Sequence, residues 1–135
     1  MTDTRTVVTA YMDNLCAGRF TEAFDLFAPD AVYTITGKTK ISGSYKGLEN
    51  IQTALGAIIS NYFKTLPAFT VGDTIVDGDR AAVLLTSTAE AVHGIYDQNY
   101  VFVFRVKDGR IVEKIENLDS IAVETALLGR KLVDA

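Results

Sequence analysis

The chain has 135 residues, 48% of them hydrophobic and 22% charged, which is the composition of one globular domain over 1–135 and not of a disordered segment. Its formal net charge is −4 and its 13 basic residues are scattered, so no basic stripe is offered to a nucleic acid and an anionic membrane surface would repel it. Apolar runs reach about six residues, far short of the ~20 needed to span a bilayer.

Val7, Val8, Tyr11, Met12 and Leu15 recur at helical spacing and predict a helix from about Thr4 to Ala17, capped by Asp3 or Thr4 and ended by Gly18. A short helix over Thr21–Phe27 follows, with Ala23, Phe24, Leu26 and Phe27 for burial and Pro29-Asp30 as its stop. Ala31–Thr36 is β-branched and aromatic and reads as a strand, and Gly37–Gly47 as a loop. Leu48, Ile51, Leu55, Ile58, Ile59 and Phe63 mark a third helix, ended by Leu66-Pro67. Strands follow over Phe69–Val76, Arg80 to about Val92, Asn99–Val106 and Arg110–Leu118. Asp77-Gly78-Asp79 and Lys107-Asp108-Gly109 are turns, and His93–Asp97 is a connection. Asp119 or Ser120 caps a last short helix running to Gly129. Helices first and antiparallel strands last is an α+β order, with helices packed on one face of a sheet.

The lone cysteine, Cys16, precludes an intramolecular disulfide. With one histidine, His93, a zinc site would need two or more carboxylates, an uncommon set. Neither G-x-x-x-x-G-K-[ST] nor G-x-G-x-x-G is present to cradle a phosphate. The start, Met1-Thr2-Asp3-Thr4-Arg5, does not read as a secretory signal, and a cytoplasmic protein is expected.

Four stretches carry a likeness to a known family. The first is Tyr11-Met12-Asp13-Asn14-Leu15-Cys16-Ala17-Gly18, followed by Ala23-Phe24-Asp25-Leu26-Phe27-Ala28-Pro29-Asp30-Ala31-Val32. The second is Tyr33-Thr34-Ile35-Thr36-Gly37, then Ser42-Gly43-Ser44-Tyr45-Lys46-Gly47. The third is Tyr96-Asp97-Gln98-Asn99-Tyr100. The fourth is Lys107-Asp108-Gly109-Arg110-Ile111-Val112-Glu113, ending at Glu116-Asn117-Leu118-Asp119. Together and in this order they resemble the nuclear transport factor 2-like superfamily, and within it SnoaL-like and ketosteroid-isomerase-like proteins, over almost the whole chain. The resemblance implies a cone-shaped α+β fold in which a curved, mixed but mostly antiparallel sheet wraps around the N-terminal helices and encloses one pocket. It does not imply one reaction, because the fold hosts isomerases, dehydratases, cyclases, hydrolases and binding modules.

Strand alternation then sorts side chains into faces. Val112, Lys114, Glu116 and Leu118 share one; Tyr100, Phe102 and Phe104 another; Tyr33 and Ile35 a third. The resemblance implies that these faces line the pocket, and a one-residue bulge would reverse any of them. Ketosteroid isomerases combine an Asp base with a Tyr and a protonated Asp. By resemblance the tyrosine falls on Tyr11, the base on Ile35 and the protonated aspartate on Phe102. Neither Ile35 nor Phe102 exchanges a proton, so steroid isomerisation by the two-aspartate mechanism is not expected.

Glu116 and Lys114 lie two apart on one strand and can enter one apolar cavity as base and electrostatic stabiliser, or else form an exposed ion pair. Asp119 is a candidate acid or a helix cap. Asn99 is a candidate substrate hydrogen bond or a turn residue. Tyr11 and Tyr33 are core residues or oxygen-binding ones. The candidate catalytic set is therefore Glu116, Lys114, Tyr11 and Asp119, and the substrate-binding set Tyr33, Ile35, Asn99, Tyr100, Phe102, Phe104 and Leu118. His93 is a solvated loop residue or a base, and Cys16, near a helix C-terminus, is a poor nucleophile.

The expected function is that of a cofactor-free, SnoaL-like enzyme acting by proton transfer on a small hydrophobic molecule: isomerisation, dehydration, aldol-type cyclisation or retro-aldol cleavage. The alternative is a non-catalytic ligand-binding or protein-interaction module. No metal is expected. The remaining sheet face is assigned Val83, Leu85, Val101, Val103, Ile111 and Ile115, with Arg105 and Glu113 among them and Val123 from the last helix. So apolar a face predicts a homodimer through the outer side of the sheet.

Overall fold

The computed structural model of the chain describes residues 3–135. Helix α1 (Thr4–Cys16) starts where Asp3 accepts the Thr6 amide at 2.7 Å, and its Val7–Leu15 stripe is buried. Helix α2 (Phe20–Phe24) is shorter than the sequence suggests, because the chain passes almost at once into β1 (Phe27–Ile35). Pro29 and Asp30 do not stop a helix. They lie inside β1, where its register against β6 shifts between Phe27 and Val32, an irregular position that tolerates a residue without an N–H.

The expected loop contains a strand, β2 (Gly43–Lys46), made by its antiparallel pairing with β1 rather than by its own Gly-Ser-Tyr-Lys composition. Helix α3 (Leu48–Tyr62) follows, and of its residues Ile51 alone is fully buried. Then come β3 (Ala68–Asp77), β4 (Arg80–Ala91), β5 (Gly94–Lys107) and β6 (Arg110–Leu118). The expected connection over His93–Asp97 is mostly strand: Ala91 pairs with Gly94, so Val92-His93 is a two-residue turn, and Gly94 takes a φ of 140° that only glycine adopts readily. Asp119 caps α4 (Ser120–Ala122), which runs into a π-helical turn over Val123–Leu127.

The six strands form one open mixed sheet in the order β2-β1-β6-β5-β4-β3. The β1–β6 pair is parallel and the others are antiparallel. The register stacks inward-facing side chains in rows. Lys114 lies between Tyr33 and Phe104, and Glu116 between Ile35 and Phe102. α1, α3 and the C-terminal turn cover this face, and the core lies between.

Four residues assigned above to the outer face are core: Val83, Leu85, Ile111 and Val123. Val83 pairs with Phe102, a phase set by the tight Val92-His93 turn. Ile111 is turned inward by a bulge at Val112, since Arg105 faces Glu113 while Val106 faces Ile111. Val112 sits at that bulge and does not share the Lys114 face. Val123 packs under the sheet through the π-helical turn. Val101, Val103 and Ile115 do lie on the outer face, together with Leu84, and Leu84 and Val101 are exposed there.

Candidate functional site

A cavity of about 490 Å³ opens between the inner sheet face and helices α1, α2 and α3. Its walls are apolar: Leu15 of α1, Phe20 and Phe24 of α2, Leu55, Ile58 and Ile59 of α3, and Phe63, Phe69 and Leu127 beyond them. α3 presents these side chains half-buried because they border the cavity and not a packed layer. Polar groups collect on the sheet side, where Tyr11, Tyr33, Tyr96, Tyr100, Lys114 and Glu116 converge.

The centre of that cluster is Lys114, whose side chain is 1% exposed. Its Nζ donates to the Tyr33 hydroxyl at 2.8 Å and to the Tyr11 hydroxyl at 3.0 Å, and lies 3.6 Å from the centre of the Phe102 ring. Tyr33 in turn donates to Oε1 of Glu116 at 2.5 Å. The Nζ–Oε1 separation is 3.9 Å, so ammonium and carboxylate face one another across a phenol. Oε2 of Glu116 and the hydroxyl proton of Tyr11 have no partner among the described residues.

Burial governs the electrostatics. It pulls the Lys114 amine down to about 7, against the opposing pull of Glu116. It pushes the Tyr11, Tyr33 and Tyr100 hydroxyls well above the usual phenol value, with the Glu116 charge adding to the effect. Tyr96, tied to Gln98 at 2.8 Å, is pushed up to about 12. These tyrosines are therefore neutral donors at any physiological pH. The arrangement offers one carboxylate oxygen, phenol donors beside it and an apolar space for a substrate, which is the equipment for moving a proton next to a developing oxyanion.

Of the residues singled out from the sequence, Tyr11, Tyr33, Ile35, Tyr100, Phe102, Lys114 and Glu116 meet at this cavity. Four do not. Asp119 is exposed and caps α4, its Oδ1 accepting the Ile121 amide at 2.9 Å, while its backbone is clasped by Gln98. Asn99 pairs with Thr86 on the outer face, because Tyr100 beside it points inward. Phe104 is buried behind the floor, edge-on to Tyr11 at 5.4 Å. Leu118 packs on the core beyond the cavity. His93 is exposed in the β4–β5 turn against Gly129, and burial with Asp13 nearby pushes the Cys16 thiol up, away from a nucleophile's range. Tyr96, Phe69 and Leu127 also line the cavity and are not among the residues that the sequence singles out for it. Tyr96 carries a legible signal, because it continues the Tyr100, Phe102 alternation backwards.

The model of the SnoaL-like domain family matches residues 8–114, and the chain belongs to that family, within the nuclear transport factor 2-like fold. A nuclear transport factor 2-like protein of unknown function from Burkholderia pseudomallei has 18% identity, covers 94% of this chain and 98% of its own, and superposes with a TM-score of 0.83. A protein from Bacillus subtilis, provisionally named an isomerase, has 18% identity over 96% of each chain and a TM-score of 0.76. A provisional SnoaL-like polyketide cyclase from Jannaschia sp. has 19% identity, covers 93% of this chain and 91% of its own, and gives a TM-score of 0.73. No curated protein matches the sequence. Among the described residues no helix is long and apolar enough to cross a membrane, and no cluster of three His, Cys, Asp or Glu side chains is placed to hold a metal ion.

Proposed function

We propose that the protein is an enzyme of the isomerase or cyclase kind that moves a proton next to the carbonyl of a small hydrophobic compound. The observation that carries this reading is Glu116: one oxygen is fixed by Tyr33, the other is unpartnered, and both lie at the polar end of an apolar cavity of about 490 Å³. Glu116 removes a proton from carbon, and the Tyr11 hydroxyl, polarised by the Lys114 ammonium on its oxygen, donates to the oxygen that becomes an enolate. Return of the proton to another carbon gives isomerisation, and attack of the enolate on a second carbonyl gives cyclisation. An acid, a base and an oxyanion donor suffice for either, so no cofactor is required. The names of the Bacillus and Jannaschia relatives agree with this class.

The working unit in this reading is a homodimer joined through the outer sheet face, where Leu84 and Val101 are 40% and 37% exposed beside Val103 and Ile115. It acts in the cytoplasm, a reducing compartment that suits a free Cys16.

Deuterium wash-in tests the chemistry without knowledge of the substrate. A panel of hydrophobic ketones and enones in D2O is followed by NMR. Exchange at the carbon next to the carbonyl, catalysed by the wild type and abolished in Glu116→Gln, is the expected result. No exchange with any member of the panel, or equal exchange in the variant, sinks the reading.

A further inference from the structure

Lys114 is more than a counter-charge. Its nearest carboxylate oxygen is 3.9 Å away with a phenol interposed, so its hydrogen-bond partners are two neutral hydroxyls and its remaining side rests on an aromatic ring. A primary amine enclosed in this way has lost the water that stabilises its charged form, and burial holds Nζ near 7. An exposed lysine, near 10.4, is almost wholly ammonium at neutral pH and is no nucleophile.

We propose that Lys114 is a covalent site, whose amine captures hydrophobic aldehydes and ketones entering the cavity as a protonated imine. The proposal rests on the reading of the cavity as a carbonyl site and adds a bond which that reading does not need. Nζ passes one proton to the Tyr33 oxygen, 2.8 Å away, and Tyr33 passes its own to Oε1 of Glu116 at 2.5 Å. This one shift frees the amine and loads an acid. The nitrogen lone pair attacks the carbonyl carbon, the π pair moves to oxygen, and a proton from nitrogen follows it to give the carbinolamine. The C–O bond then breaks as the hydroxyl takes the Glu116 proton and leaves as water, while the nitrogen lone pair closes the C=N bond. The products are the protonated imine, one water and Glu116 again as carboxylate, facing a C–H now acidified by the imine. No oxidant or further reactant is consumed, and hydrolysis reverses every step.

The experiment uses the wild-type protein at pH 7.5 with two probes. Pentane-2,4-dione converts a nucleophilic amine to a stable, ultraviolet-absorbing enaminone. Hexanal followed by borohydride converts an imine to a secondary amine. Peptide mapping by mass spectrometry then locates the label. Lys114 is expected to be modified at least tenfold faster than exposed lysines such as Lys38 and Lys107, and Lys114→Arg to lose the fast phase. Modification spread over the exposed lysines with Lys114 untouched overturns the proposal, and this result needs no variant to fold. The two readings fail separately. Wash-in that depends on Glu116 with no label on Lys114 leaves the proton-transfer reading standing without the imine. Label on Lys114 with no wash-in leaves the imine standing without the proton transfer.

Discussion

The Lys114 amine and the Glu116 carboxylate lie 3.9 Å apart and are joined through the Tyr33 hydroxyl, which accepts from one at 2.8 Å and donates to the other at 2.5 Å. Tyr33 comes from β1 and the other two from β6, so the parallel β1–β6 pairing sets this geometry. The nearby Tyr11 hydroxyl reaches the same amine from α1. Three elements thus close one polar cluster inside a hydrophobic wall.

Glu116→Gln keeps the side-chain size and the Tyr33 contact but removes the proton acceptor. Wash-in catalysis should fall at least tenfold, within the ~10²–10⁴ that a general base contributes. The thermal midpoint should move by no more than a few degrees. A large loss of stability instead assigns Glu116 to structure.

Tyr33→Phe deletes the bridging oxygen and strands Nζ and Oε1 as buried polar atoms short of a partner. Each stranded group costs about 1–3 kcal/mol. The variant should melt lower than Glu116→Gln does and lose wash-in activity as well. Wild-type stability in differential scanning calorimetry would contradict the bridge.

Lys114→Met removes a buried amine whose affinity for a proton is lowered by folding. Between pH 7 and the 10.5 of a free lysine, the unfolded chain holds a proton that the folded chain has released. Stability of the wild type therefore rises with pH across this window, and its cost for charging Lys114 is complete only below about 7. The difference in melting temperature, wild type minus Lys114→Met, should increase from pH 6 to pH 9.5. A flat difference would show that Lys114 titrates as if solvated. Above pH 10 the buried tyrosines reverse the trend, because the folded chain keeps phenol protons that the unfolded chain gives up.

Much of this site is legible in the residue order. Period-two alternation puts Tyr100 with Phe102 in β5 and Lys114 with Glu116 in β6, but the two pairs share a face only through the bulge at Val112, which the Lys107-Asp108-Gly109 turn does not announce. The inner position of Val83 and Leu85 is not legible in the same way. Val92-His93 has none of the residues that announce a two-residue turn, so the phase of β4 against β5 stays open until the pairing is seen. Asn99 fails for the opposite reason: its neighbour Tyr100 takes the inward place, and one of any two adjacent strand residues must face out. Pro29 is misleading because the rule that stops a helix there says nothing of a strand irregularity that accommodates proline.

The corrected outer face makes its own prediction. Light scattering at micromolar concentration should give twice the 14.7 kDa chain mass. Val103→Asp, near the centre of that face, should return it to the single-chain mass, because the dimer would bury an unpaired charge. A wild-type monomer, or a mutant dimer of unchanged stability, places any interface elsewhere.

Asp119→Ala removes the cap of α4, worth about 0.5–2 kcal/mol, and should lower the thermal midpoint while leaving wash-in catalysis intact. Lost activity at full stability would return Asp119 to the catalytic candidates.

The bulge at Val112 fixes which way the last strand speaks. Were the ladder to run regularly from the same β5–β6 turn, with Val112 paired instead of bulged, Glu113 would face Phe104, and Lys114 and Glu116 would exchange sides with their sequence neighbours. Ile115 and Glu113 or Asn117 would then compete for the interior, and the amine and carboxylate would sit in water. A lineage can thus invert the chemistry of this pocket by forming or losing one bulge near a hairpin, without altering any residue that later touches a substrate. Descendants sharing nearly identical residues can then differ entirely in what they transform, and family resemblance in such cases tracks ancestry rather than reaction.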